Sequence, residues 1–353
     1  MSGRPGPCLP SAGRCGRLGA KGRKRGKRGA AMEAAGRDPA CPLPGLRWER
    51  LVRPDEVALR IALAPASMAP GRGLVLGLPG RGQFIERWFE TMRALQERGF
   101  AVAVLDHRGQ GGSPRTLPGR QRHHITDFAL MAEDALAALA LARKTLAAPG
   151  PALLLGHSMG GLVALLAALR RPEAVAALLL AAPLVGLKTP LLLPQPLVCA
   201  IAGIHVRLGR GTAYAWGQGP WRPPEADPAW HACRKALFTH DDARYRLEAE
   251  MIARNPALAV GGVTWGWLAA ACRAMADLHR AAETGRPSRP ALFVLAGADR
   301  VVDNGAARRL ARRLPTAEVV DVPGARHELL QEAAEFRMLF WRAVDNFLAR
   351  HDL

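Results

Sequence analysis

The fold is decided by the stretch Leu155-Gly156-His157-Ser158-Met159-Gly160-Gly161. It follows one apolar run and opens another, which is typical of a sharp turn between a β-strand and an α-helix. Glycines stand two positions to either side of Ser158, where such a turn leaves no room for side chains. The turn lifts the serine above the sheet edge, and the helix N-terminus directs free N–H groups toward it. We predict Ser158 as a nucleophile; a tight turn without chemistry is the other interpretation.

Short β-like runs alternate with helical runs on both sides of this turn, which indicates an α/β sheet. The apolar runs are those of buried, mostly parallel strands flanked by helices. The predicted strands are an opening hairpin at 46–52 and 57–63, followed by 73–78, 100–105, 152–155, 175–181, 291–296 and 317–322. The predicted helices are 85–98, 127–147, 159–171, 304–314 and 333–350.

Residues 184–287 break the alternation, because about a hundred residues between two predicted strands are too many for one crossover helix. We expect an inserted lid here, on a core formed by 41–183 and 288–353. The first part, 184–204, is very apolar, but Lys188 and several prolines interrupt it, so a membrane-spanning helix is not expected. A lid that faces lipid or covers an apolar cleft fits this run.

The net charge of +19 is divided unevenly along the 353 residues. Residues 1–40 carry ten Lys or Arg and two Asp or Glu, a net +8, and the rest of the chain carries +11 without a long basic block. Only six of the 49 basic residues are lysines, which indicates arginine enrichment through codon usage. We therefore expect no nucleic acid as a partner, while peripheral contact with an anionic membrane stays an alternative.

Residues 1–40 form a basic tail rich in Gly, Pro, Ala and Arg. Such a segment cannot bury enough apolar surface to offset its ordering entropy, so we expect it to be disordered. It lacks the apolar region of a secretory signal. Three interpretations stay open: a start assigned too far upstream, which we favour, a tail that contacts acidic lipid or nucleic acid, and a transit-like extension.

The six cysteines are scattered without a C-x-x-C pair, which argues against a zinc site and against a disulfide framework. We expect reduced, mostly structural thiols and a cytoplasmic protein, with the inner membrane surface as a second location. No metal or organic cofactor is expected. The cysteines are Cys8, Cys15, Cys41, Cys199, Cys233 and Cys272.

A serine hydroxyl is a weak nucleophile until an adjacent base takes its proton. In sheets of this kind the chain order is serine, acid, histidine. His327 lies in a Gly-containing loop directly after the last predicted strand, where a base projects over the sheet. We predict His327 as the base, with a surface loop histidine as the other interpretation. The five other histidines after Ser158 are His205, His231, His240, His279 and His351.

The acid is expected just past the preceding strand, where two aspartates occur. Asp299 follows the strand end in a Gly-Ala-Asp turn, whereas Asp303 precedes a helix and can cap its N-terminus. We predict Asp299 as the acid that orients the histidine and stabilises the imidazolium. Asp303 is predicted to be a cap or a group that supports the acid from behind.

An oxyanion is stabilised by preorganised backbone N–H groups. One donor is expected from Met159, directly after the nucleophile. The second is expected from the Gly-rich loop 78–82, where we choose Arg81 over Gly80 or Gly82; an ordinary Gly-rich turn is the other interpretation.

A second Gly-rich stretch, 105–113, lacks the residue order of a nucleotide-binding loop, so we expect a structural turn that braces the oxyanion loop. The pair His123-His124 has no partner at metal-ligand spacing, and we expect it on the surface.

Taken together, four motifs resemble the bacterial lysophospholipases of the PldB type, within the α/β-hydrolase group that includes monoacylglycerol lipases and serine aminopeptidase-like hydrolases. The resemblance spans about 46–350 and includes 239–241 and 255–265 in the predicted lid. The motifs are Asp-His-Arg-Gly-Gln-Gly (106–111), Gly-His-Ser-Met-Gly-Gly (156–161), Arg-Val-Val-Asp-Asn (300–304) and Arg-His-Glu (326–328).

The resemblance implies an α/β-hydrolase fold and hydrolysis of a lysophospholipid or monoacylglycerol through an acyl-serine intermediate, with Ser158, Asp299 and His327 as the triad. The oxyanion loop has Pro79-Gly80-Arg81 where monoacylglycerol lipases have His-Gly, which favours the lysophospholipase branch. Two enzyme alternatives are a short-chain carboxylesterase and a serine aminopeptidase-like hydrolase. A non-catalytic ligand-binding protein is the alternative from another class.

Overall fold

The structure is a computed structural model, and it describes residues 43–68, 71–119, 121–189 and 193–353. The predicted disordered tail, 1–40, and Cys8, Cys15 and Cys41 lie outside the described residues.

The eight strands found in the described residues form one sheet, in the spatial order β1-β2-β4-β3-β5-β6-β7-β8. The pairs β1·β2 and β2·β4 are antiparallel, and all pairs from β4 to β8 are parallel. This mostly parallel sheet confirms the predicted fold class. The strands are β1 (Arg47–Val52), β2 (Ala58–Ala64), β3 (Gly73–Leu78), β4 (Phe100–Leu105), β5 (Ala152–His157), β6 (Ala177–Ala181), β7 (Ala291–Ala296) and β8 (Ala317–Val322).

The central strands are buried on both faces, which explains their nearly continuous apolar sequences. Strand β6 begins at Ala177, two residues later than predicted, and a 3-10 turn at Pro172–Ala174 precedes it. Strand β5 pairs with β3 on one side and with β6 on the other, so Ser158, at its carboxyl end, stands at the middle of the sheet edge. Parallel strands bring their carboxyl ends to this same edge.

Helices α1 to α3, α8 and α9 alternate with the strands, as predicted. Four more helices, α4 to α7, lie between β6 and β7, in residues 182–290, which we call the β6–β7 segment. The helices are α1 (Phe89–Glu97), α2 (Phe128–Thr145), α3 (Met159–Arg170), α4 (Gln195–Arg207), α5 (Pro228–Phe238), α6 (Asp242–Arg254), α7 (Trp265–Ala282), α8 (Asn304–Ala311) and α9 (Ala334–Arg350). Within the described ranges, no helix is both long and apolar enough to cross a membrane.

Cys199 on α4 and Cys272 on α7 form a disulfide, with their Cα atoms 5.7 Å apart. The prediction of reduced thiols is therefore wrong for this pair, whereas the exposed Cys233 is free. The two residues are 73 positions apart, and only the packing of α4 against α7 brings them together. The cytoplasmic location expected from reduced thiols loses this support, since disulfides persist mainly in oxidising compartments.

Candidate active site

Ser158 lies in a strained turn between β5 and α3, with a φ of 51° and a ψ of −115°. Its N–H donates to Ala181 O at 3.0 Å, which anchors the turn to the neighbouring strand. A Cβ at Gly160 would lie 1.8 Å from Leu78 O, and one at Gly156 would lie 2.5 Å from Gly160 O. The close approach of these backbones therefore requires glycine at both positions, and it holds the serine in a conformation that an L-residue rarely adopts.

The structure brings Ser158, His327 and Asp299 into one chain of hydrogen bonds. His327 Nε2 lies 2.9 Å from Ser158 Oγ, and His327 Nδ1 lies 2.8 Å from Asp299 Oδ2. A carboxylate only accepts, so the histidine proton is on Nδ1, and Nε2 is free to accept the serine proton. All three side chains are buried, and Ser158 is only 8% exposed.

The loop after β7 fixes the orientation of Asp299. Asp299 Oδ1 accepts from the N–H groups of Val301 at 2.8 Å and Val302 at 3.0 Å, which leaves Oδ2 for the histidine. Asp303 accepts from the N–H of Gly305 and caps α8, as predicted.

Charge pairing sets the protonation of this chain. Burial alone would raise the pKa of Asp299, but the adjacent His327 and the N–H groups of Val301 and Val302 together outweigh burial and lower it. Burial alone would lower the pKa of His327, but Asp299, with a smaller contribution from Glu328, outweighs burial and raises it above the ordinary value. At neutral pH the carboxylate is therefore charged and stabilises the imidazolium that forms when the histidine takes a proton.

Two glutamine side chains hold the loop that follows β3. Gln83 Oε1 accepts from the N–H of Gly80 at 2.7 Å, and Gln110 Oε1 accepts from the N–H of Gly82 at 3.1 Å. Gln110 Nε2 donates to the carbonyls of Gly80 and Gln83, both at 2.9 Å. The N–H groups on either side of Arg81 are thus occupied, whereas that of Arg81 has no acceptor among the described residues.

Met159 is the first helical residue of α3, so its N–H has no partner inside the helix. Met159 follows Ser158 directly. In the same way, Arg81 follows Gly80, whose N–H and carbonyl are held by Gln83 and Gln110. The N–H groups of Met159 and Arg81 are the two predicted to face an oxyanion, and the structure leaves both unoccupied within its described ranges.

Gln110 belongs to the Gly-rich stretch 105–113, so this stretch braces the loop after β3, as predicted. The stretch is itself fixed by the buried Asp106, which accepts from Arg60 at 2.6 Å and from the N–H groups of Ile85 and Gly112 at 3.0 and 2.7 Å. Burial raises the pKa of Asp106 to about 6. A Cβ at Gly111, where φ is 55°, would lie 2.2 Å from Asp106 Cγ, so glycine is required there.

The sequence did not predict a buried ion-pair network that lies next to Ser158, His327 and Asp299. Glu328 Oε2 accepts from Gln83 Nε2 at 2.7 Å and from Arg87 Nη2 at 3.1 Å, and Arg87 Nη1 donates to Glu248 at 2.6 Å. Burial alone would raise the pKa of Glu328, but Arg87 and nearby cations lower it to about 2. The network joins the oxyanion loop to the loop of His327. Glu328 was visible only as part of the Arg-His-Glu motif.

His157 adds a second link between these loops. Its Nε2 donates to the backbone carbonyl of His327 at 3.1 Å, and burial lowers its pKa to about 4, so the ring is neutral. The G-x-S-x-G motif allows any residue at the position of His157, so the sequence did not predict this role.

The expectation that His123 and His124 lie on the surface is wrong. His123 is fully buried and His124 is 8% exposed. The β6–β7 segment folds back over them: the N–H of His123 donates to Gly262 O at 3.0 Å, and His124 Nδ1 lies 2.8 Å from Thr264 Oγ1. They are structural, and the described ranges contain no group of side chains that could hold a metal ion.

Comparison with known proteins identifies the family of the chain. Residues 69–334 match the model of the family described as Serine aminopeptidase, S33. Lysophospholipase L2 of Escherichia coli strain K12 is 31% identical over 292 residues, which cover 79% of this chain and 81% of that protein. The probable lysophospholipase L2 of Haemophilus influenzae is 26% identical over 83% of this chain and 88% of that one.

Among solved structures, the monoglyceride lipase of Saccharomyces cerevisiae, a soluble variant crystallised with a substrate analog, superimposes with a TM-score of 0.68. It covers 90% of this chain and 98% of its own, at 19% identity, which establishes similarity of fold alone. The family match extends over most of the chain and includes all three residues of the hydrogen-bonded chain at the sheet edge. The chain therefore belongs to the serine aminopeptidase S33 family, within the α/β-hydrolases.

Proposed function

We propose that the protein is a serine hydrolase that cleaves the acyl ester of a lysophospholipid or monoacylglycerol through an acyl-serine intermediate. The observation that carries this proposal is the hydrogen-bonded chain from Ser158 through His327 to Asp299. The 31% identity to a lysophospholipase L2 supports the lipid ester as substrate. A non-catalytic binding protein is not favoured, because binding alone does not need a nucleophile, a base and an acid in this alignment.

The contacts suit the two halves of ester hydrolysis. Ser158 Oγ attacks the ester carbonyl carbon while His327 Nε2 takes its proton, and Asp299 stabilises the resulting imidazolium. The carbonyl oxygen becomes an oxyanion, which we assign to the N–H groups of Arg81 and Met159. The imidazolium then gives its proton to the departing alcohol, and the acyl-serine forms. A water molecule, deprotonated by His327, releases the fatty acid by the reverse proton path.

We also propose that residues 184–287 act as a lid on the core. Support comes from the limited exposure of Ser158, 8%, and from the contacts of this part of the chain with the loops around it. The N–H of Glu328 donates to Phe238 O at 2.9 Å, and Arg81 Nη1 donates to Gly261 O, also at 2.9 Å. A long acyl chain needs these contacts to open before it reaches the serine.

Helix α4 supports the further proposal that the lid faces an anionic lipid surface. Three apolar side chains on this helix and at its C-cap recur on one face at helical spacing and are exposed: Leu197, Ile204 and Leu208, the last being the C-cap residue directly after α4. Residues 184–224 contain four basic and no acidic residues. An apolar face next to basic side chains is the pattern that binds at a membrane surface.

Hydrolysis assays on the purified chain test the function directly. The panel comprises lysophospholipids, monoacylglycerols, p-nitrophenyl esters of short acids and aminoacyl amides. We expect turnover of at least one of the two lipid classes to exceed that of the short esters and amides. Faster turnover of the amides or short esters than of both lipids would contradict the proposal and favour a peptidase or a carboxylesterase.

A further inference from the structure

Arg81 has an unusual environment for a partly buried cation. Its guanidinium lies between the loop after β3 and the β6–β7 segment, where Nη1 donates to the Gly261 carbonyl at 2.9 Å. Within the described residues, no carboxylate forms an ion pair with it. Its other guanidinium N–H groups also have no acceptor there. The guanidinium has five N–H donors, and among the described residues a single neutral carbonyl accepts from them.

The neighbouring arginines are paired. Arg87 contacts Glu248 at 2.6 Å and Glu328 at 3.1 Å, and Arg234 contacts Glu248 at 3.0 Å. Together with Arg81, three arginines share two glutamates. Among the residues that the structure describes, one positive charge in this cluster therefore has no counter-charge, and Arg81 is the member without an ion pair.

The pKa of Arg81 is consistent with this imbalance. Burial and, to a smaller extent, the nearby Arg234 lower the pKa of Arg81 to about 10, because Glu248 offsets only part of their effect. Arg81 is still charged at neutral pH, and a bound anion would restore the missing negative charge. Arginine is suited to this role, because its planar fork matches two oxygens of a phosphate.

The position of Arg81 relates this charge to the reaction. Its backbone N–H is the proposed oxyanion donor, and about seven bonds separate that nitrogen from the Nη atoms. In a 1-acyl lysophospholipid, about six bonds separate the ester carbonyl carbon from the phosphorus. The two spans are similar, so a carbonyl held at the Arg81 N–H leaves the phosphate within reach of the guanidinium.

We infer that the Arg81 side chain binds the phosphate of the substrate headgroup and thereby selects lysophospholipids over monoacylglycerols. The inference rests on the proposed function, since it names the substrate class of the same site. Monoacylglycerol has no phosphate, so it would interact with the backbone N–H of Arg81 but not with its guanidinium.

The test is the ratio of kcat/KM for lysophosphatidylglycerol to that for the monoacylglycerol with the same acyl chain, kept short so that both lipids are monomeric. We expect Arg81→Met to lower this ratio about tenfold or more, and Arg81→Lys, which keeps the charge but not the fork, to lower it less. The control is Arg254→Met, which removes an equal charge from an exposed position at the end of α6 and keeps the wild-type ratio. A ratio within twofold of wild type in Arg81→Met overturns the inference.

A second measurement does not depend on lipid turnover. Glycerol 3-phosphate, inorganic phosphate and glycerol are compared as protectants of the wild-type protein against a fluorophosphonate probe. We expect glycerol 3-phosphate to slow labelling more than glycerol does, and Arg81→Met to abolish the difference; equal protection by the two overturns the inference. If inorganic phosphate protects as strongly as glycerol 3-phosphate, the site binds free phosphate, and the assignment to a lipid headgroup is overturned. If neither lipid is hydrolysed by the wild type, the proposed function fails, and protection still decides the anion site.

Discussion

The loops around Ser158 and helix α4 present opposite kinds of surface. In the loops, polar side chains such as Gln83, Gln110 and Glu328 are almost completely buried, and each makes at least two hydrogen bonds. On α4 and at its C-cap, apolar side chains are exposed instead, with the C-cap residue Leu208 at 66%. Buried polar groups with satisfied partners hold a single geometry, whereas exposed apolar groups lower their free energy by meeting another apolar phase. The proposed chemistry thus depends on the loops, and the proposed contact with lipid depends on α4.

The largest effect is expected from the triad acid. Asp299→Asn leaves a group of similar size but no charge, and its amide can hold His327 in the wrong tautomer. We expect kcat to fall about 10³- to 10⁴-fold while the fold is kept. The matched control is Asp303→Asn, which stays able to cap α8 and is expected to change kcat less than about threefold. Steady-state kinetics on a p-nitrophenyl ester check both, and comparable losses in the two variants would refute the assignment of Asp299.

The brace of the oxyanion loop is expected to have the next largest effect. Gln110→Leu leaves the Gly82 N–H and the Gln83 carbonyl without partners among the described residues, and the Gly80 carbonyl keeps only the Gln83 N–H, so the loop loses its fixed position. We expect kcat to fall about 10- to 100-fold, with a smaller change in KM, because the loss falls mainly on the transition state. Gln96→Leu is the control, since Gln96 is also buried and bonds a carbonyl, that of Pro65, away from the site. If Gln96→Leu lowers kcat as much, the effect is one of stability, and the positioning role is wrong.

The pH dependence of activity follows from His327. The pKa of its imidazole is raised above 6.5, mainly through Asp299. The protonated ring cannot accept the serine proton, so kcat/KM is expected to fall about tenfold per pH unit below that pKa and to level off above it. The profile is measured on a neutral ester. In Asp299→Asn the midpoint is expected to move to lower pH, because the charge that raises the pKa is gone; an unmoved midpoint would contradict the coupling.

The smallest effect is expected from α4. Leu208→Ser removes an exposed apolar side chain from the face proposed to meet lipid, and we expect co-sedimentation with phosphatidylglycerol vesicles at low salt to weaken severalfold. Hydrolysis of a soluble short ester should stay within about twofold of wild type. Met338→Ser is the control, since Met338 is equally exposed on α9 but lies outside the β6–β7 segment. Equal loss of vesicle binding in both variants would show that α4 is not the binding face.

The core and the positions of the three triad side chains could be predicted because they depend on local rules. The glycines around Ser158 follow from one tight turn, and Asp299 and His327 each follow the end of an apolar strand. Since parallel strands end at the same sheet edge, three separate strand-end residues are expected together without further information.

The remaining features depend on how the β6–β7 segment packs, which periodicity does not encode. Cys199 and Cys272 form a bond only because α4 lies on α7. His123 is buried only because Gly262 and its neighbours return across it. The network of Glu328 needs a partner from α6, Glu248, some eighty residues earlier in the chain. Contacts over such distances follow from tertiary structure, not from the spacing of residue types.

Whether Ser158 is an activated nucleophile is decided by labelling the full chain with a fluorophosphonate and identifying the modified peptide by mass spectrometry. We expect stoichiometric modification of the wild type at Ser158 and none in Ser158→Ala. A wild-type protein that stays unlabelled under conditions that label a known serine hydrolase, or a Ser158→Ala variant labelled as fast as wild type, would contradict this expectation.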